Sequence, residues 1–256
     1  MKTSFTIFIP SENNPPSAIA LSDSINHLDP HHPYSQMMRL RVAGKAAQEC
    51  TDVYYLCTDE DNDLISRLWM GWGKHGCAIG NWGNFFTNPK YRGQGIGRQM
   101  LDFWASDLKS RKDLPLALFC TAGNEQLTRL YEPYGFRPAL RAETCGPLYC
   151  PLGSSPQTFI EFCKEYYTPA SSLIFKPATL EWRHEIDCLF KFAMLDAGLD
   201  YLPEGMTSLE SALLGKEKEH TEIIFTDTNV PVGISHTDGN GNKDIKLHPS
   251  YFHLIM

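Results

Sequence analysis

No apolar run in the 256 residues approaches the ~20 needed to cross a bilayer, so the expected class is non-membrane. There is no basic block either. Lys and Arg number 23 against 30 Asp and Glu, and the net charge of −7 is spread along the chain. That pattern argues against nucleic acid as a partner, because neutralising phosphates needs clustered cations. None of the eight cysteines (50, 57, 77, 120, 145, 150, 163, 188) forms a C-x-x-C pair, and several lie in apolar stretches such as "YYLCTD" and "LALFCT". Free, mostly buried thiols in a reducing cytoplasm are therefore expected, rather than a disulfide frame. The opening "MKTSFTIFIPSENNPP" has one lysine, a brief apolar stretch and no small-residue cleavage site, so no export signal is read and a cytoplasmic protein is expected. "DPHHP" lacks cysteine or carboxylate at ligand spacing, and "DEDND" lacks the glycine and glutamate of a calcium loop, so no metal is expected.

What is present is a sequence of strands and amphipathic helices. "TSFTIFIP" reads as a strand stopped by Pro10, and helices are expected near Ala18 to Leu28 and from Ser35 to Glu49. "DVYYLCT" and "DLISRLWMGW" read as a hairpin around "DEDND", and "CAIGNWGNFFT" as the next strand. Ile96, Met100, Trp104 and Leu108 fall four apart, giving a helix with one buried face. "LPLALFCT" is wholly apolar, as a central strand covered on both faces would be. Asn124 is a good N-cap for a helix whose apolar face is Leu127, Leu130, Tyr131 and Tyr134, ended by Gly135. "FRPALRAETC" and "PLYCPL" supply two more strands before the turn-rich "GSSP", where a domain boundary is placed.

Residues 151–256 carry a weak echo of the beginning. "IFIP" at 7–10 recurs as "IFKP" at 174–177, and "TDVYYLCTD" at 51–59 resembles "TEIIFTDTN" at 221–229. Between them Trp182, Ile186, Leu189, Phe190, Ala193, Met194 and Ala197 trace a helical stripe, and "VPVGISH" and "DIKLHPSYFHLIM" read as two further strands. The expected organisation is a complete domain at 1–150 and a partial, repeat-like α/β domain at 151–256.

The segment richest in glycine is "NPKYRGQGIGRQML", residues 88–101, which leads from a strand into the Ile96 helix. It fails as a dinucleotide fingerprint, because Arg98 stands where the last glycine belongs, and as a Walker loop. The physics of the junction still points to an anion. The first N–H groups of a helix lack internal partners and carry about half a positive charge, and glycines let main chain and phosphate approach. Lys90, Arg92 and Arg98 add positive charge locally.

The order "FFTNPKYRGQGIG", "LALFCT", "NEQLTRLYEPYGF" resembles the GNAT superfamily of acyl-CoA-dependent N-acyltransferases, whose signature is R/Q-x-x-G-x-G/A at a helix start, preceded by a strand ending V-x-P and followed by N-x-x-A-x-x-L-Y-x-x-x-G-F. Thr87 stands in the valine position and Leu127 in the alanine position; the resemblance covers about residues 1–150. It implies an α/β (α+β) GNAT fold, a mixed central sheet flanked by helices. It also implies that acetyl-CoA is the co-substrate, its pyrophosphate on the backbone of Arg92, Gly93, Gln94, Gly95, Ile96, Gly97 and Arg98. Pantetheine would lie along Phe85, Phe86 and Thr87 between splayed fourth and fifth strands. An N–H near Phe86 would face the thioester oxygen, Tyr131 would be the general acid that protonates the departing thiolate, and Asn124 would belong to the same site.

Many family members place a glutamate on the fourth strand to deprotonate the amine. Here that strand offers only Asn81, Asn84 and Thr87, so the base is unassigned, with Asp59, Glu60 and His75 as weak candidates. Trp69, Trp72, Trp82, Tyr54 and Tyr55 are read as core or as an aromatic acceptor slot. The second half, without the glycine loop, is expected to hold no CoA and to cover the acceptor cleft or form a homodimer contact. Two other readings stay open: an inactive acyl-CoA-binding regulatory module, and a different nucleotide-binding protein using the same loop.

Overall fold

The computed structural model describes residues 2–10, 21, 33–139, 145–189, 193 and 220–255. Among the described residues eleven strands fall into two sheets. The first is built from β1 (Ser4–Phe8), β2 (Cys50–Thr58), β3 (Leu64–Gly73), β4 (Ile79–Thr87), β5 (Ala117–Ala122), β6 (Arg137–Pro138) and β7 (Gly146–Pro151), in the spatial order β1-β2-β3-β4-β5-β7-β6. Helix α1 (Pro33–Val42) lies between β1 and β2, α2 (Ile96–Leu108) between β4 and β5, and α3 (Glu125–Tyr131) after β5. After α4 (Phe159–Tyr166), the second sheet comprises β8 (Leu173–Pro177), β9 (His220–Thr226), β10 (Pro231–Thr237) and β11 (Lys243–Leu247). Its order is β11-β10-β9-β8, and α5 (Arg183–Cys188) precedes β9.

Alternation along the strands gives the first sheet two different faces. On one, Val53, Tyr55, Met70 and Trp82 pack under Ile96, Met100, Leu101 and Trp104 of α2 and Tyr131 of α3. The four-residue spacing of the α2 set brings them onto one stripe, and burying each such side chain contributes about 1.5–3 kcal/mol. The other face takes Met37, Met38 and Val42 of α1 on Tyr54, Leu56 and Trp69, and Phe159 and Phe162 of α4 on Ile79, Ala117, Phe119 and Tyr149. Trp69, Trp72, Trp82, Tyr54 and Tyr55 are all 4% exposed or less: they are core.

Several boundaries differ from the sequence reading. The helix expected to run to Glu49 ends at Val42, because Gly44 adopts φ 76°. There Lys45 N donates to Leu40 O and Gly44 N to Arg41 O, both at 2.9 Å, a paired C-terminal cap that glycine makes cheaply. Of the helix expected at 18–28 only Leu21 is among the described residues. Of "FRPALRAETC" only Arg137 and Pro138 form strand, and residues 140–144 lie outside the described set. The stripe from Trp182 starts as a 3-10 turn, Leu180–Trp182, and continues as α5; Phe190, Met194 and Ala197 lie outside the described residues. The last expected strand stops at Leu247. His248 then accepts Ser250 N on Nδ1 at 3.3 Å and Pro249 opens a 3-10 helix to Leu254, a position where proline's missing N–H costs nothing.

The internal echo has a structural counterpart. Ile7 pairs with Tyr55 across β1 and β2, and Ile174 with Phe225 across β8 and β9, so the two similar segments form the same antiparallel pair in both sheets. All eight cysteines are free; Cys77 and Cys163 are half-buried, Cys145 is exposed and the other five are buried. No helix among the described residues is long and apolar enough to cross a membrane.

Candidate functional site

β4 and β5 are the parallel neighbours of the first sheet, and they stay together only briefly. Ile79, Gly80 and Asn81 pair with Ala117, Leu118 and Phe119. Beyond Asn81 the strands part, although β4 runs on to Thr87. A bulge drives the parting from the other side. Arg67 pairs with Phe86 and Trp69 with Gly83, so two residues of β4, Asn84 and Phe85, oppose Leu68 alone. Asn84 sits at φ 51°, a conformation asparagine tolerates better than most residues. Its side-chain oxygen accepts Arg67 Nε at 3.1 Å, which holds the bend, while its Nδ2 is buried without a hydrogen-bond partner.

At the open end of this fork lies the glycine segment. Asn88 caps a 3-10 turn over Pro89–Tyr91 by accepting Lys90 N on Oδ1 at 3.1 Å. Gly93 at φ 77° and Gly95 at φ 80° then turn the chain into α2, and Gly95 stands at its N-cap without a side-chain hydrogen bond. Both angles suit glycine and strain other residues. Gly97 serves packing instead: a Cβ there would sit 3.3 Å from the Phe85 ring. Residues 92–95 and Arg98 are exposed, so the first-turn N–H groups of α2 face outward, in reach of an anion.

Loop and fork share one groove of about 740 Å³, lined by Phe85, Phe86, Thr87, Tyr91, Arg92, Gly93, Gly95, Ile96, Gly97, Arg98, Asn124, Gln126, Leu127 and Leu130. The structure thus brings together all the candidate residues but two. Gln94 turns back, its Nε2 donating to Lys90 O at 3.3 Å. Tyr131 lies behind the wall, 5% exposed, with its ring 4.8 Å from Trp82 and 6.0 Å from Phe85. Burial pushes its phenol pKa up, so it keeps its proton throughout the neutral range. Asn124 caps α3, its side chain accepting Leu127 N at 2.9 Å, while also lining the groove. Phe86 turns its carbonyl towards β3, where Ser66 Oγ donates to it at 2.7 Å. Thr87 O accepts Arg92 Nε at 3.0 Å, which ties the loop to the strand end.

Of the weak base candidates, Asp59 touches the edge of the groove, its Oδ2 accepting the hydroxyl of the lining residue Tyr91 at 3.3 Å. Asp59 Oδ1 accepts Asp61 N and Asp63 N in the hairpin turn, and Glu60 Oε1 accepts Lys2 N. The His75 side chain is 70% exposed beside Glu181. No group of three or more metal-binding side chains occurs among the described residues.

Sequence reasoning missed a second layer of polar groups, buried on the sheet face opposite α2. Arg41 and Asp52 form an ion pair at 2.9 Å with side chains 1% and 3% exposed, and Trp69 Nε1 donates to the same carboxylate at 2.8 Å. From the second half of the chain, α5 places Glu185 Oε1 to accept Ala78 N at 2.6 Å and Ile79 N at 3.1 Å. Asp187 Oδ2 accepts Asn81 Nδ2 at 3.0 Å. Desolvation pushes the Glu185 pKa up to about 8 and holds His184 well below its usual range, so both are neutral at pH 7. The only sequence signal was charge inside an apolar helix stripe, "RHEIDC", which reads as a solvated face until its partner is known.

Residues 51–138, from β2 to β6, match the family model described as "Acetyltransferase (GNAT) domain". Similar solved structures include an acetyltransferase of the GNAT family from Staphylococcus aureus Mu50, at 14% identity and TM-score 0.39 over 58% of this chain and 100% of that one. An acyl-CoA N-acyltransferase from Pseudomonas aeruginosa matches at 15% identity and TM-score 0.43, over 58% of this chain and 99% of that one. A NatC complex described as bound to Gag peptide and CoA matches at 17% identity and TM-score 0.43, over 60% of this chain and 100% of the other. No curated protein matches the sequence.

Proposed function

We propose, from the GNAT acetyltransferase domain that residues 51–138 form, that the protein is an N-acyltransferase moving an acetyl group from acetyl-CoA to an amine. The observation that carries this is the continuity of glycine loop and strand fork in one groove. An anion on the α2 N-terminus and an extended arm between β4 and β5 are the two shapes that groove accommodates, and a CoA thioester has both. The pyrophosphate would accept N–H bonds from Arg92 to Arg98, each charge-assisted bond contributing about 1.5–3 kcal/mol. Pantetheine would follow Phe85 to Thr87, leaving the thioester near the apex of the fork.

At that apex the amine attacks the carbonyl carbon, the C–S bond breaks, and negative charge builds on oxygen and then on sulfur. A main-chain N–H of the Asn84–Phe86 bend would stabilise the first; because the Phe86 carbonyl is turned to β3, the neighbouring amide of Phe85 suits this role better. The Tyr131 hydroxyl would protonate the second, its ring standing against Phe85 and Trp82 beside the groove. Removing such an acid typically costs 10²–10⁴-fold. A cytoplasmic location fits the eight free thiols, and residues 151–256 would serve as a second unit that holds no CoA.

The test is release of free thiol from acetyl-CoA in the presence of amines by the full chain. We expect turnover in the wild type, loss of about 100-fold or more in kcat for Tyr131→Phe, and unchanged CoA affinity by calorimetry. Tight CoA binding with no thiol release from any amine would instead establish a binding module. Competition by a dinucleotide but not by CoA would rule out both.

A further inference from the structure

We infer that Asp187, carried by the second half of the chain, is the proton acceptor for the amine substrate at the β4–β5 fork. The inference rests on the acyl-transfer reading above and supplies the group that β4 lacks. A charged amine must lose a proton before it can attack, and a carboxylate within direct or one-water reach is the usual means. Among the described residues three buried carboxyl groups, Asp52, Glu185 and Asp187, reach the sheet face opposite α2, and their places along the sheet separate them. Asp52 is committed to Arg41 and Trp69. Glu185 is bonded to the main chain where β4 begins, at Ala78 and Ile79, below the point where the strands part. Asp187 is bonded to the side chain of Asn81, the last β4 residue still paired with β5. It therefore stands at the apex of the fork, beyond the Phe85–Thr87 stretch that an arm entering from the glycine loop would follow.

A second observation places room beside it. Gly83 follows Asn81 by two residues, so both face the same side of the sheet, and Gly83 pairs with Trp69 on that face. A Cβ built on Gly83 meets no atom of the described residues within 4 Å. Among the described residues the fork thus leaves space next to the Asn81–Asp187 pair, on the side away from the α2 core, for the group that carries the amine. Asn81 is the positioning residue: its amide fixes one carboxylate oxygen.

In the step itself, the ammonium gives one proton to Asp187, and the free nitrogen lone pair forms the C–N bond. The C–S bond then breaks, with its electron pair leaving on sulfur. The thiolate takes a proton from Tyr131, balanced by the second proton the nitrogen loses as the amide forms. Asp187 returns its proton to solvent, so one proton is released per turnover. Titratable and charged groups on the elements packed on this face are Arg183, His184, Glu185 and Cys188 on α5, Cys163 and Tyr166 on α4, Arg41 on α1 and Asp52 on β2, and Arg67 on β3.

The experiment measures kcat/KM for the full chain against pH with acetyl-CoA and three amine probes: 2-phenylethylamine, putrescine and a tetrapeptide with a free amino terminus. Asp187→Asn, which preserves shape and the Asn81 contact, is expected to lower kcat/KM about 100-fold at pH 7. The deficit should shrink as pH rises towards the pKa of the amine, where substrate arrives already neutral, and Asp187→Glu should recover part of the rate. CoA affinity should be unchanged in both variants, which also reports that they fold. Wild-type kcat/KM in Asp187→Asn, or a deficit constant with pH and accompanied by weaker CoA binding, overturns the assignment while leaving acyl transfer standing. Absence of thiol release by the wild type with all three probes, with CoA still bound, overturns the acyl-transfer reading and this one with it.

Discussion

The two sheets reach the same turn and use it differently. β4 ends in "TNPKY", where Asn88 caps a proline-opened 3-10 turn; β11 ends in "LHPSY", where His248 caps one of the same kind. The strands before them also correspond, since β8-β9-β10-β11 repeats the order of β1-β2-β3-β4. After Tyr91 the chain meets Gly93 and Gly95 and enters α2, which crosses over to a strand parallel to β4. After Tyr251 it meets Phe252, 42% exposed. All three pairings of the second sheet are antiparallel. The comparison teaches where a helix end open to an anion comes from in such a fold. A parallel pair needs a crossover helix, and the helix brings an exposed, positively polarised N-terminus to the strand end. An antiparallel meander has no use for one.

The largest expected effect breaks the resemblance of the two turns at their tyrosines. Tyr251 is 1% exposed, its hydroxyl donates to Thr168 O at 2.7 Å, and its ring meets His248 at 5.7 Å. Tyr91 is half-buried and lines the groove. Tyr251→Ala should therefore cost about 3–5 kcal/mol of stability, as other large-to-small aromatic truncations do, whereas Tyr91→Ala should cost under about 1 kcal/mol. Urea unfolding followed by tryptophan fluorescence checks both. Equal losses would mean that the turns carry the same structural role.

Next in size is the loop that only the first turn possesses. Gly95→Val forces a β-branched residue to φ 80° and sets a side chain where a phosphate would approach. CoA affinity should fall by about 100-fold or more, which corresponds to about 2.8 kcal/mol. Phe252→Ala, just past the matching turn of the second sheet, should leave it unchanged. Calorimetry on the two variants distinguishes a site confined to the first sheet from one to which both contribute.

How much of this was legible in the sequence follows from what each segment packs against. α2, β5 and the glycine loop could be read because local pattern and final environment agree: a stripe at helical spacing meets one sheet face, and a wholly apolar strand is covered on both. The helix from Ser35 was read too long because Gly44 looks innocuous until its positive φ is seen. The charged residues of α5 went unread for a different reason. Arg183, His184, Glu185 and Asp187 sit between the stripe residues Trp182, Ile186 and Leu189, where a solvated face would be expected, yet all are buried, since a second surface covers them. No local pattern reports a partner more than a hundred residues distant, as Ala78 is from Glu185. For the same reason the Arg41–Asp52 pair was invisible: its halves sit on a helix and a strand whose packing only the fold defines.

The smallest effect sharpens how the two halves are joined. Glu185 belongs to the chain of the second sheet but accepts the amides that begin β4, and its other oxygen is buried with no hydrogen-bond partner. Desolvation raises its pKa from 4.5 in the unfolded chain to about 8. Between those values the folded protein binds more protons than the unfolded one, so stability falls as pH rises through that window and levels off above about pH 8. Glu185→Gln retains an oxygen for the two amides and removes the titration. The wild type should lose a few degrees of Tm between pH 6 and pH 8 beyond any loss in the variant, and scanning calorimetry at the two pH values measures the difference. Parallel Tm curves would mean that the carboxylate is hydrated in solution, and that the second half holds β4 less closely than the Ala78 and Ile79 contacts imply.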